Sequence, residues 1–172
     1  MTIKKYTIPT LFTESVKNYP ENTSLVFVGE KNYTYSQMGE DVGRLSRYLT
    51  GLGVTKGDKV AILSTNMPNW GIAFFSISMV GATAVPILPD FHENEIKSIL
   101  MHSEAKIMFI SESLYKSVGK ETAGLLERLI LVDNFALIPS GTKPEDIKNL
   151  KCSLPEESAD FQPVDVDEED LA

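Results

Sequence analysis

The fold is decided by an uncharged stretch at residues 60–89 that reads VAILSTNMPNWGIAFFSISMVGATAVPILP. The stretch is long enough to span a bilayer, but Asn66, Pro68 and two glycines interrupt it. It divides instead into a strand at Lys59–Thr65, a helix that begins near Pro68, and a second strand at Thr83–Ile87. A proline in the first helical turn costs no hydrogen bond, because the amide there has no intrahelical acceptor. The pattern therefore predicts a buried core and not a transmembrane helix.

The strand–helix–strand pattern continues downstream of residue 89. Each predicted strand is a continuous apolar run, which is typical of parallel strands that are buried on both faces. The further predicted elements are a helix at Glu93–His102, a strand at Ile107–Ser111, a helix at Ser113–Arg128 and a strand at Leu129–Asp133. The sequence therefore predicts an α/β fold, a layered domain built on a parallel sheet with helices on its faces.

The segment before the sheet predicts a β-hairpin followed by an amphipathic helix. Ser24–Val28 and Tyr33–Tyr35 flank a polar turn, Gly29-Glu30-Lys31-Asn32, of the length that hairpins use. Apolar residues then recur at helical spacing from Ser36, a predicted N-cap, to Leu52. Gly53 suits the left-handed position that ends such a helix.

The net charge of −8 is confined to one end of the chain. Residues 152–172 contain eight acidic residues and no Lys or Arg, which leaves 16 acidic and 16 basic residues in 1–151. We therefore predict an α/β domain at 1–151 and a solvated acidic tail or linker at 152–172. A neutral body has no basic excess to attract phosphate backbones, which excludes nucleic acid as the expected partner.

The cysteine and histidine residues indicate little about the chemistry of the protein. Cys152 is the only cysteine and cannot form an internal disulfide, which favours a reducing, cytoplasmic location. His92 and His102 have no cysteine near them in the sequence, so no metal site is predicted. Residues 1–16 lack the apolar core of a signal peptide.

Three polar residues, Ser64, Thr65 and Asn66, follow the central strand Lys59–Thr65 and are the candidate binding residues. Open α/β sheets bind their ligands at the carboxyl ends of strands, and hydroxyls there can donate to a phosphate, as in flavodoxin-like domains. Asn66 can equally cap the helix that begins near Pro68. Both interpretations stay open.

Three other motifs are read as structural. The glycines of Gly51–Gly57 follow a helix and precede a strand, the reverse of the order that a phosphate loop needs. Ser140–Pro144 lacks the further glycines that open the backbone around a triphosphate. Glu93 and Glu95 are two residues apart and point to different sides of a helix, so we predict first-turn charges and not an acid–base pair.

The order of short motifs resembles the amino-terminal region of the AMP-forming adenylating enzymes, over roughly residues 9–135. That superfamily contains acyl-CoA synthetases, peptide-synthetase adenylation domains and luciferases. The run LMHSEAK within 96–110 resembles fatty acyl-CoA ligases most, long-chain fatty acid–CoA ligases in particular. The motifs are Tyr33-Thr34-Tyr35, GLGV at 51–54 with GDKVAIL at 57–63, Asn66-x-Pro68-x-Trp70, Ala73-Phe74-Phe75, Gly81-Ala82, Val85-Pro86, Glu95-Ile96-x-x-Ile99-Leu100 and Ser103-Glu104-Ala105-Lys106-Ile107.

The resemblance implies an enzyme that activates a carboxylate with ATP and Mg²⁺, giving an acyl-adenylate and pyrophosphate. The thiol of coenzyme A then displaces AMP to form the thioester. Magnesium and basic donors offset phosphate charge in such a transfer. The implied substrate is a fatty acid, and peripheral membrane attachment of the parent enzyme is left open.

The resemblance also implies what residues 1–172 lack. The family's Ser/Thr/Gly-rich phosphate loop, adenine segment, magnesium glutamate, ribose aspartate and catalytic lysine have no counterpart here, so no catalytic, cofactor-binding or metal-binding residue is carried over. We expect the first subdomain of a longer ligase, inactive alone, with no cofactor bound to it. Its partner would be the remainder of the ligase, and its exposed faces would self-associate. The alternative is a stand-alone flavodoxin-like module that binds FMN or a nucleotide near Ser64–Asn66.

Overall fold

A computed structural model describes residues 5–27, 29, 32–156 and 161–170. The α-helices are α1 (Ile8–Asn18), α2 (Tyr35–Gly51), α3 (Pro68–Met79), α4 (Glu93–Ser103) and α5 (Lys120–Ala123). The strands are β1 (Thr23–Leu25), β2 (Tyr33–Thr34), β3 (Lys59–Leu63), β4 (Thr83–Ile87), β5 (Ile107–Ile110), β6 (Arg128–Leu131) and β7 (Ala136–Ile138).

The described residues form two compact units. Unit 1 comprises those within 1–58, 71–83 and 155–172, and unit 2 comprises those within 59–70 and 84–154. The helix α3 begins in unit 2 and continues in unit 1. None of the helices in the described ranges is both long and apolar enough to cross a membrane.

A five-stranded sheet with the order β4-β3-β5-β6-β7 organises unit 2. The strands β3 and β5 run parallel with Val60 opposite Ile107, and β5 and β6 run parallel with Ile107 opposite Arg128. This confirms the predicted α/β fold with a parallel-dominated sheet. In this order β3 and β5 are neighbours although β4 lies between them in the sequence, as crossover connections produce.

The last strand, β7, runs antiparallel to β6 and was not predicted from the sequence. The prediction placed no strand after Asn134, because three residues carry too little periodicity to be recognised; it placed only a short helix from Pro144, where the structure has a 3₁₀ turn at Ile147–Asn149. Asn134 starts a turn instead: its Oδ1 accepts a hydrogen bond from the Ala136 amide at 3.0 Å, and Phe135 has a φ of 57°.

The core of unit 2 is built from continuous apolar strands. All four side chains of β5 are buried, and Phe109 packs edge-to-face on Phe135 with ring centroids 6.3 Å apart. The α4 residues Ile96 and Leu100 belong to the same buried cluster as Met108 of β5. Apolar runs with this burial are the reason that the strands were predictable.

The region predicted as a helix at Ser113–Arg128 is not one helix, and that prediction was wrong. It contains a 3₁₀ turn at Glu112–Ser117 and the short helix α5. Val118 and Gly119 between them are extended, which ends the first turn. Gly119 also lies against the Glu93 carboxylate, where a Cβ on this extended backbone would overlap it, so a larger residue would have to displace the Glu93 side chain.

In unit 1, α2 begins at Tyr35 and is capped by Thr34, so the predicted N-cap Ser36 was wrong. The Gln37 amide donates to the Thr34 Oγ1 at 3.3 Å, and the Thr34 amide donates to the Gln37 Oε1 at 3.0 Å. Thr-x-x-Gln is a capping box, which outcompetes a serine two positions later because it satisfies two amides at once. Gly53 after the helix has a φ of 90°, as predicted.

The other elements of unit 1 pack against α2 or against each other. Strands β1 and β2 pair antiparallel, which confirms the hairpin; within its predicted turn and first strand, Val28, Glu30 and Lys31 lie outside the described residues. The helix α1, which the sequence analysis did not predict, contacts α3 through stacked rings of Phe12 and Phe75, 4.5 Å apart.

Candidate functional site

The residues that follow the parallel strands of unit 2 lie at one edge of its sheet. Ser64 follows β3, Ser111 follows β5, and Val132 and Asp133 follow β6. Backbone hydrogen bonds continue the sheet to this edge. The Ser111 amide donates to the Leu63 carbonyl at 3.1 Å, and the Val132 amide donates to the Ile110 carbonyl at 2.9 Å. The edge is therefore a fixed platform at the position where open α/β sheets bind ligands.

The three predicted site residues differ in exposure. Ser64 is buried, and its hydroxyl donates to the Thr65 carbonyl at 2.8 Å. Thr65 and Asn66 are exposed. The N-cap position of α3 falls on Met67, whose carbonyl accepts from the Trp70 amide at 3.0 Å, so Asn66 lies one residue before the cap. The structure thus places these residues at the sheet edge, with one hydroxyl already bonded.

Asn69, which the sequence analysis did not single out, is the most connected polar side chain of this edge. Its Nδ2 donates to the carbonyls of Val132 and Asp133, both at 2.9 Å. The Asp133 carboxylate in turn accepts from the Glu112 amide at 2.8 Å. The only sequence signal was an asparagine in a first helical turn after a strand, which is too common to indicate a contact 63 residues away.

The electrostatics of the edge disfavour a phosphate. The segments that form it, residues 64–70, 111–113 and 132–134, contain Glu112 and Asp133 but no Lys or Arg. A carboxylate repels an anion, and no cation there offsets the repulsion. Within the described ranges, no group of three or more His, Cys, Asp or Glu side chains is arranged to hold a metal ion. The segments of the edge therefore lack the basic donors of a phosphate site.

Basic side chains gather elsewhere in unit 2, around a broad groove of about 830 Å³. Lys116, Lys120, Arg128 and Lys143 line it together with Glu127. All four basic residues are exposed, so water screens their attraction for an anion. The groove offers positive charge without the desolvated donors of a built phosphate site.

The remaining sequence motifs have structural positions. Gly53 and Gly57 adopt positive φ in turns between α2 and β3, and Gly141 does so in the loop after β7. The Glu95 carboxylate accepts from the His92 amide at 2.8 Å, and Glu93 accepts from the Thr122 hydroxyl at 3.2 Å. These carboxylates therefore support the start of α4 and its contact with α5.

The fold is shared with solved structures of a fatty-acid-CoA ligase and of an adenylation domain. Over 99% of this chain, the structure superposes on 34% of a long-chain-fatty-acid-CoA ligase from Archaeoglobus fulgidus with a TM-score of 0.75, at 22% sequence identity. At that identity the likeness speaks for the fold alone.

The chain belongs to the AMP-binding enzyme family, whose sequence model matches residues 12–172. It is 34% identical over 134 residues to the peroxisomal butyrate–CoA ligase AAE11 of Arabidopsis thaliana. It is 30% identical over 134 residues to the peroxisomal trans-cinnamate:CoA ligase of Petunia hybrida. These matches cover 73% and 78% of this chain but only 23% and 22% of the relatives. The resemblance drawn from the motif order is therefore confirmed.

Proposed function

We propose that this chain is the amino-terminal subdomain of an AMP-forming acid–CoA ligase. The observation that carries the proposal is the family match over residues 12–172, together with relatives named as CoA ligases. In such a ligase ATP supplies the adenylate that makes the carboxylate reactive, with Mg²⁺ bound, and the thiol of coenzyme A accepts the acyl group. The residues of this chain would act as the scaffold beside that chemistry.

The proposed role as a scaffold follows from the side chains of the sheet edge. Asn69 and Asp133 bind backbone groups, and Ser64 binds a carbonyl, so these polar groups hold the loops that follow β3, β5 and β6. The segments of the same edge carry two carboxylates and no basic side chain. No step of the reaction is therefore assigned to a side chain of this segment, and we expect the chain alone to be inactive.

We further propose a carboxylic acid with an apolar body as the substrate, and a fatty acid as its first candidate. The names of the relatives support the broader class: one acts on butyrate and another on trans-cinnamate. Fatty acid preference rests on the run at 96–110 alone. A cytoplasmic location stays a proposal as well, with the exposed free thiol of Cys152 in its favour.

A chimera tests the proposed function. The aligned 134 residues of the Arabidopsis butyrate–CoA ligase would be replaced by the matching residues of this chain. We expect a cooperatively folding chimera that releases pyrophosphate and forms acyl-CoA when butyrate, ATP and coenzyme A are all present. The unaltered ligase is the positive control, and the chimera with Phe109→Ala controls for an intact core. A chimera that unfolds cooperatively but forms no adenylate would overturn the proposal.

The chain by itself provides the complementary measurement. Titration with ATP and assay with butyrate, trans-cinnamate or a long-chain fatty acid should show neither saturable heat nor turnover. Saturable ATP binding that survives about 1 M salt would mean that this segment holds a nucleotide site, because exposed charge alone is screened at that concentration.

The second candidate function is a small-ligand module, which the position of Ser64–Asn66 at the sheet edge favours. It predicts saturable binding of FMN, measured by quenching of flavin fluorescence and lost in the double variant Ser64→Ala/Thr65→Ala. Bonding of the Ser64 hydroxyl to Thr65 and the nearby carboxylates make this the weaker candidate. Absence of quenching at flavin saturation would remove it.

Self-association also stays a proposal, and unit 1 carries the apolar surface for it. Tyr6, Leu11, Val26 and Phe27 are exposed there, and Leu11 borders an apolar groove of about 450 Å³. Light scattering at increasing concentration checks it: a dimer that Leu11→Glu dissociates is the expected result, and a monomer throughout contradicts it.

A further inference from the structure

The acidic residues 161–170 have an unusual basis for their position in unit 1. All ten residues are described, none is buried, and they contain five acidic residues and no basic one. Phe161, Pro163 and Val166 are half-buried, and the other seven residues are exposed. We call residues 161–170 the acidic strap.

Two lysines hold the acidic strap through ion pairs. The Lys5 Nζ lies 2.7 Å from an Asp165 carboxylate oxygen and 3.1 Å from one of Asp167. The Lys56 Nζ lies 2.7 Å from an Asp170 carboxylate oxygen. Both lysines lie outside the strap in the sequence, and they converge on Asp165, because the Lys56 Nζ also donates to the Asp165 carbonyl at 3.2 Å.

A few main-chain bonds complete the attachment. The Val164 amide donates to the Met79 carbonyl at 2.9 Å, and the Tyr6 amide donates to the Glu168 carboxylate at 2.7 Å. The Val164 side chain packs over Gly81 yet stays 37% exposed. Partial burial of Phe161, Pro163 and Val166 also contributes, and the bonds to charged groups are the part of the attachment that salt weakens.

The strap covers a small cavity of about 140 Å³. Thr7 and Ser78 line it from the body of unit 1, and Val166 and Glu168 line it from the strap. Detachment would open this cavity and expose Lys5 and Lys56 to other anions. The attachment thus controls access to a defined patch of unit 1.

We infer that the acidic strap is a charge-held latch, which detaches when Lys5 and Lys56 are screened or neutralised while the remaining described residues of unit 1 stay folded. Exposed ion pairs are individually weak and weaken further with salt, so a few of them make an attachment that is reversible at ordinary ionic strengths. The latch goes beyond the proposed function and does not depend on it.

This geometry shifts the pKa values of four of the paired groups. Hydrogen bonds to Asp165 and Asp170 raise the pKa values of Lys5 and Lys56, respectively. The same bonds hold the pKa values of the two carboxyls below their usual range.

Amide hydrogen exchange in the full chain tests the latch. The Val164 amide reports on the strap, and the Val132 amide, bonded to Ile110 at 2.9 Å in the sheet of unit 2, is the internal control. Raising sodium chloride from about 0.05 M to about 1 M should lower protection of the Val164 amide roughly tenfold and leave Val132 unchanged.

Substitutions identify the cations. Lys56→Gln and Lys5→Gln should lower protection of the Val164 amide already at low salt, whereas Lys116→Gln, an exposed lysine of unit 2, should not. The charge swap Lys56→Asp/Asp170→Lys should restore it. Protection that is insensitive to salt or to both lysines would overturn the inference. Equal loss at Val132 would overturn it too, because the strap would then not detach alone.

Discussion

The strand β5 and the acidic strap are stabilised in opposite ways. Every side chain of β5 is buried, and the strand is bonded to β3 on one side and β6 on the other. The strap buries none of its side chains and depends on Lys5 and Lys56. Apolar burial is insensitive to pH and weakly sensitive to salt, whereas exposed charge pairs depend on both. The same chain therefore contains a permanent region and a conditional one.

The largest effect should come from the permanent region. Phe109→Ala removes a fully buried ring and its contact with Phe135, which is expected to lower the free energy of unfolding by about 3–5 kcal/mol. Urea unfolding measures it. Phe27→Ala, which truncates a ring that is 44% exposed, is the matched control and should cost far less. Equal costs at the two positions would break the contrast between buried and exposed regions.

The two hydrogen bonds of the half-buried Asn69 should matter less than a buried ring. Asn69→Ala removes the donor to the carbonyls of Val132 and Asp133, and we expect a loss of about 1–3 kcal/mol. Asn66→Ala, in an exposed residue of the same loop, should change stability by no more than about 0.5 kcal/mol. Thermal unfolding of both variants measures these losses. A larger loss in Asn66→Ala than in Asn69→Ala would contradict the role of Asn69 in holding the sheet edge.

The capping box gives a smaller test within unit 1. Thr34→Ala removes the acceptor of the Gln37 amide and should cost about 1 kcal/mol, because a helix amide loses its partner. Ser36→Ala, at the residue that the sequence pattern indicated as the cap, should cost less. The urea midpoints of the two variants compare these costs directly. A larger cost for Ser36→Ala than for Thr34→Ala would mean that Ser36 caps the helix.

The smallest effect concerns the strap and is best seen in a titration. The hydrogen bond to Lys56 lowers the pKa of Asp170, and the nearby cation of Lys5 lowers it further. Because the folded-state pKa lies below the unfolded one, this pair adds stability above the unfolded pKa and loses it as pH falls through the folded pKa. The raised pKa of Lys56 acts in the opposite direction. Its contribution to stability is present below the unfolded-state pKa of the lysine and is lost as pH rises through the folded-state pKa.

Carboxyl NMR of the full chain measures this. Lys56→Gln should move the pKa of Asp170 upward toward its usual range, and Lys116→Gln should leave it in place. An Asp170 titration that is identical in all three proteins would show that the pair at 2.7 Å does not persist in solution.

The parts of the fold that could be predicted are those stabilised by apolar burial. The strands β3, β4, β5 and β6 are continuous apolar runs, so their existence followed from composition over a few residues. The helix α1 and the strand β7 were not predicted. The strand is three residues long, and the helix is stabilised by the contact of Phe12 with Phe75, which is distant in sequence.

The candidate site was predictable in place but not in detail. The strand pattern placed Ser64–Asn66 at the carboxyl edge of the sheet, where the structure has them, while their role in binding stays a prediction. Asn69 escaped notice because its partners are backbone carbonyls, and any residue can supply those. The ion pairs of the strap escaped for a related reason: an excess of acidic residues predicts solvation and does not say which lysine is near.

The bond from Asn69 to the end of β6 also has a kinetic meaning. It joins residues 63 and 64 positions apart, so the loop it closes is long and forms only after the intervening strands have paired. An interaction that forms late is absent from the folding transition state. We therefore expect Asn69→Ala to accelerate unfolding and to leave the refolding rate nearly unchanged, so that this asparagine sets how long the assembled sheet lasts.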